Sequence, residues 1–124
     1  MRILIAGIPR AGKTTLAATL EREHKLSARH TDTLIPLGWS EASDAAAQWI
    51  DEPGPWIIEG VAAIRALRKW LASNPGKPAD VVHWLGHEHM ALSTGQASMA
   101  LGCRKVWDEV MPELIGRRVR IERS

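Results

Sequence analysis

Eight consecutive residues carry the first recognisable chemistry: Gly7, Ile8, Pro9, Arg10, Ala11, Gly12, Lys13 and Thr14 fit the spacing G-x-x-x-x-G-K-[ST], and Thr15 follows. A loop of this length folds back so that successive backbone N–H groups converge on one phosphate, and a helix starting at its end adds partial positive charge. Gly7 and Gly12 admit backbone angles and close approaches that a side chain would block. Lys13 is placed to reach the β- and γ-phosphates of a nucleoside triphosphate, and the Thr14 hydroxyl to bind Mg²⁺. Residues 7–15 are therefore expected to hold ATP or GTP with Mg²⁺. They do not choose the reaction. A guanine-specific Asn-Lys-x-Asp element is missing, since the only Asn, Asn74, precedes Pro75, and no apolar strand ends in the Asp-Glu of a motor ATPase.

Phosphoryl transfer also needs a carboxylate that orients a metal-bound water or takes a proton from an acceptor hydroxyl, and cations that neutralise the transferring group. In open parallel sheets such residues follow the carboxyl ends of strands. Asp32 and Glu59, the latter followed by Gly60, occupy those places, and Arg65 and Arg68 follow on the next helical segment. Each has a plainer role open to it. Asp32 suits a turn or a cap, and the two arginines suit a solvated helix face. An acid at the end of an apolar strand is costly unless paired, which favours Glu59.

The ordering of these residues resembles the P-loop kinase group that includes adenylate kinase, shikimate kinase and related nucleoside or nucleotide kinases. His30-Thr31-Asp32 is similar to the segment bordering the acceptor pocket in that group. Glu59-Gly60 with Arg65 resembles its Asp-Gly strand end and nearby phosphate-binding arginine, with Glu standing for Asp. The resemblance implies an ATP-dependent kinase of a small metabolite, a nucleoside or nucleotide, on a P-loop NTPase fold. An NTP hydrolase or switch acting on a partner protein, and a module that holds nucleotide without turnover, remain rivals.

Positioning these groups requires alternating strands and helices. Residues 2–6 form a compact apolar run bounded by Gly7 and Pro9, too short for a helix and suited to a buried strand. Leu16, Ala17 and Leu20 share one face of a helix over about 13–23. Residues 27–35 suggest a weak second strand, and Pro36 and Gly38 open a loop. Ser40 or Ser43 is expected to cap a helix over about 41–51. Residues 56–58 read as a central strand and 61–73 as a helix with Val61, Ile64, Leu67 and Leu71 inward. Residues 81–85 read as a fourth strand and 96–114 as a long amphipathic helix. Val119 and Ile121 alternate with arginines as in a half-exposed edge strand. The expected fold is α/β, a three-layer sandwich with a mostly parallel five-stranded sheet, in one domain over residues 1–124.

Two weaker constellations remain. His83, His87 and His89 with Glu88 suggest a transition-metal site or an ordinary polar loop. Ser93, Thr94 and Gln96, with Arg104 and Lys105 along the following helix, sit where a mobile lid or a simple helix cap would lie. Cys103 falls on the apolar stripe and reads as packing.

Composition bounds the rest. With 124 residues and 24% charged residues, the chain has room for one sizeable core. Six Trp replace all Phe and Tyr, so the indoles carry the core and cleft packing. A net charge of +2, with the surplus at Arg117, Arg118, Arg120 and Arg123, gives no polynucleotide track, and nucleic acid is not an expected partner. The single cysteine precludes an internal disulfide. With no long apolar run, the expectation is a cytoplasmic protein away from the membrane. Expected partners are a nucleoside triphosphate and a small phosphoryl acceptor, and a homo-oligomer is left open.

Overall fold

The apolar run at the start becomes β1 (Arg2–Gly7), buried along five of its six residues in the computed structural model, which describes residues 1–124. Burial on both faces is what a near-continuous apolar run dictates, because such a strand has no polar face to give to water. The same holds for β3 (Trp56–Glu59) and most of β4 (Val81–Leu85). Two shorter strands, β2 (Ala28–His30) and β5 (Arg120–Arg123), are only half-buried or exposed, as edges are. All pairings are parallel and the order is β2-β3-β1-β4-β5.

Four α-helices make the crossovers: α1 (Lys13–His24), α2 (Trp39–Ile50), α3 (Ala63–Ser73) and α4 (Thr94–Gly116). The chain steps outward from β1 to β2, then reverses direction through β3, β4 and β5. With right-handed crossovers, α1 therefore lies on one face of the sheet and α2, α3 and α4 on the other. The packing agrees: α1 contacts β1, β2 and β3, whereas α3 sits between α2 and α4. The α/β class and the five-stranded sheet are as expected, with every strand parallel.

The boundaries differ in three places. The strand expected over 27–35 stops at His30, and Thr31–Leu37 winds into a 3-10 helix. Thr33 Oγ1 donates to the His30 carbonyl at 2.8 Å, a local bond that competes with strand pairing. Neither Ser40 nor Ser43 caps α2. Gly38 takes that position with φ 107°, and Ser43, inside the helix, donates to the Trp39 carbonyl. At the other end of the sheet, α4 runs from Thr94 to Gly116 and contains Pro112.

One connected core of 31 buried residues joins both faces of the sheet. Trp56, Trp70, Trp84 and Trp107 belong to it, Trp49 packs against it, and Trp39 is 45% exposed. The tightest joint lies at Gly60, φ 142°, where a Cβ would stand 1.8 Å from Thr31 Oγ1. Gly60→Ala is therefore expected to cost about 3 kcal/mol, the scale of forced overpacking and strained backbone. Urea denaturation checks this, and a loss within 0.5 kcal/mol, about that of an ordinary surface change, would show that the joint yields. No helix is long and apolar enough to cross a membrane.

Candidate active site

The glycine loop, residues 7–14, is anchored from below. A Cβ on Gly7 would meet the Leu85 carbonyl oxygen at 2.5 Å, and the Ile8 N–H donates to that same oxygen at 3.1 Å. Arg10 and Gly12 adopt left-handed conformations, φ 58° and 89°, which fold the loop back before α1 begins. Gly12 occupies the cap position of α1 without a side-chain cap, and the first turn has no acidic residue. The positive end of α1 and its free N–H groups are thus unneutralised, the condition for holding an anion.

Lys13 folds over this loop. Its Nζ donates to the Ile8 carbonyl at 2.6 Å, and the residue is 8% exposed. Burial pushes the Lys13 ammonium below its ordinary range, while Glu59, Cys103 and Asp32 pull it back up. A lysine held in this way keeps a charge that the protein solvates poorly, which an incoming anion would satisfy better.

Glu59 ends β3, and its side chain is 3% exposed. The register sets His30 of β2 directly opposite, and His30 Nδ1 lies 2.5 Å from Glu59 Oε1. Carboxylate oxygens accept, so the imidazole donates. Beside the pair, Thr31 Oγ1 is sealed beneath Gly60 without a hydrogen-bond partner.

A cleft of about 400 Å³ opens between these groups. One wall is the loop itself, Pro9, Arg10, Ala11, Gly12, Lys13, Thr14 and Thr15. Asp32 and Glu59 add carboxylates, while Ile35, Trp39, Val61 and Met99 add apolar surface beside Gln96. Of the residues expected from sequence, Gly7 and Ile8 lie buried beneath the cleft as anchors rather than on it. Arg65 borders an adjoining hollow with Trp39, Gly95, Ser98 and Met99. Its guanidinium rests on α4, with Nη1 3.9 Å from Cys103 Sγ. Neither arginine is among the residues that line the cleft; Arg68, one turn further along α3, is exposed and pairs with Glu109 of α4 at 3.4 Å.

Ser93 and Gln96 settle into a reciprocal capping box, which opens α4. Arg104 turns back to the Gly86 carbonyl at 3.3 Å and to Glu88 at 3.7 Å. The histidines separate. His83 stays in β4, where burial lowers its pKa from the usual 6.5, and His89 lies against the glycine loop. His89 N–H donates to the Arg10 carbonyl at 2.8 Å, and its ring Cε1 is 3.0 Å from where a Gly12 Cβ would stand. No cluster of three or more His, Cys, Asp or Glu side chains is placed to hold a metal ion. A second cleft, about 490 Å³, lies beyond this loop against Trp84, Gly86, His87, Arg104, Trp107, Asp108, Arg123 and Ser124. Trp84 and Trp107 stack there with ring centroids 4.9 Å apart, and the Trp107 indole N–H is buried without a partner.

No protein-family model matches the chain, and no curated protein is significantly similar to it.

Proposed function

We propose that the chain is an ATP-dependent phosphoryl transferase of the P-loop kinase kind, acting on a small hydroxyl-bearing metabolite such as a nucleoside or nucleotide. One observation carries the reading: Lys13, Glu59 and Asp32 border a single cleft that also contains the unneutralised start of α1. The loop amides and Lys13 would hold the β- and γ-phosphates of ATP or GTP. Thr14, exposed at the first turn of α1 and lining the cleft, offers an oxygen donor of the type Mg²⁺ prefers. Bound there, Mg²⁺ would supply charge neutralisation along the phosphates.

Glu59 takes the proton of the acceptor hydroxyl as the acceptor oxygen bonds to the γ-phosphorus. The bond from that phosphorus to the bridging oxygen breaks, and ADP leaves with its electrons. Asp32 and Gln96 orient the acceptor, whose body rests on Trp39, Ile35, Val61 and Met99. The second cleft, bordered by Trp84, Trp107 and Arg104, is where the nucleotide base would lie.

The test is ADP release from Mg·ATP with nucleosides, nucleoside monophosphates and small hydroxy acids, using Lys13→Ala as the blank. Stimulation by one acceptor, absent in the blank, supports transfer. Release indifferent to every acceptor would instead favour a hydrolase or switch, and nucleotide binding without release a holding module.

A further inference from the structure

We propose that His30 is a positioning residue for Glu59: its ring engages one carboxylate oxygen and so presents the other to the acceptor hydroxyl. The inference rests on the reading of Glu59 as proton acceptor given above. His30 ends β2 and Glu59 ends β3, and their parallel register puts the two side chains side by side at the carboxyl edge of the sheet. The Nδ1 to Oε1 distance of 2.5 Å fixes the torsion of the carboxylate. Oε2 has no partner within the protein and is not sealed from the cleft that Glu59 lines. A carboxylate with 3% of its side chain exposed and no such partner would rotate to satisfy either oxygen.

The neighbouring charges leave this task to His30. Arg29, the preceding residue, is bonded to Glu52 and lies over the Trp49 ring at 4.2 Å. Glu21 of α1 is engaged by the Ala28 N–H at 2.9 Å. Lys13 is held by the Ile8 carbonyl and is the cation a phosphate would claim. Asp32 is exposed on the 3-10 helix and cannot donate when ionised. The imidazole is the one group that reaches Glu59 with a directed N–H.

Three variants decide the matter. His30→Ala is expected to lower kcat by about 10²-fold, the cost of a misplaced reacting group, with the KM for ATP little changed. His30→Asn places an amide N–H where Nδ1 stood and is expected to recover most of that loss. If both variants lose rate equally while unfolding at the same urea concentration as wild type, the positioning role is overturned. Equal and full activity in His30→Ala would overturn it as well. The pair is also read without turnover, from the ¹⁵N resonance and exchange protection of the His30 Nδ1–H in wild type and Glu59→Gln. A shifted resonance with weakened protection in Glu59→Gln, whose amide oxygen still accepts but carries no charge, supports the pair, and an unchanged resonance and protection overturn it. A protein that shows the protected pair but transfers to no acceptor would sink the transferase reading alone.

Discussion

Lys13→Met is expected to abolish nucleotide-dependent activity while leaving the free protein at least as stable as wild type. The two halves of this result have one cause. In the folded chain, burial holds the Lys13 pKa below the ordinary 10.5. Between that lowered value and 10.5 the unfolded chain binds a proton that the folded chain does not, so stability rises with pH across that window. Below it the full cost of the buried charge is present. At neutral pH the methionine removes that cost and keeps the hydrocarbon packing. For a bound nucleotide the sign reverses, because the ammonium is then the partner of phosphate oxygens. Losing a buried charge-assisted contact costs about 2–5 kcal/mol in affinity, and losing charge stabilisation at the transferring group costs a further 10²- to 10³-fold, roughly, in rate. Thermal melting with and without Mg·ATP separates the effects. Wild type should gain about 2.7 kcal/mol of stability at a ligand concentration 100 times Kd, and Lys13→Met should gain almost nothing. A variant that melts well below wild type without nucleotide would mean that Lys13 is chiefly structural.

What the sequence discloses about this site, and what it hides, follows from how each part is encoded. The glycine loop is contiguous, and its glycines and Lys13 have roles set by local backbone geometry, so residues 7–15 were legible before any fold was known. The central strands were legible because burial on both faces demands unbroken apolar runs, as at Ile3, Leu4 and Ile5. His30 was noticed only as part of the segment before Asp32, and its pairing with Glu59 was not legible, because the partner lies 29 residues away and meets it only through parallel register between β2 and β3. Trp39 and Ile35 were hidden by Pro36 and Gly38, which read as loop signals although the chain there forms a 3-10 helix leading into α2. Arg65 and Arg68 look equivalent in sequence. Three residues apart on α3, they part: Arg65 borders the hollow beside the cleft, while Arg68 pairs with Glu109 of α4, and no local pattern reports a carboxylate on another helix.

Glu59→Gln is the sharper test of the chemistry, since it alters one proton acceptor and almost no volume. General base catalysis contributes about 10²- to 10⁴-fold, so kcat with the best acceptor is expected to fall by that range. At neutral pH the KM for ATP should change little, because the loop amides, Thr14 and Lys13 all stay in place. A second consequence distinguishes this substitution from a simple loss of packing. Of the negative charges near Lys13, Glu59 does most to support the ammonium against burial; the neutral amide withdraws that support, and in the free protein Lys13 should lose its proton at lower pH than in wild type. Because phosphate replaces the missing charge, nucleotide binding at neutral pH should survive, and its affinity should fall at lower alkaline pH than in wild type. Steady-state kinetics and a nucleotide-binding titration from pH 7 to pH 10 read both effects. If kcat is unchanged, the proton acceptor is elsewhere, with Asp32 the remaining carboxylate on the cleft. If only stability moves, and neither binding nor release, the cleft holds nucleotide without turning it over.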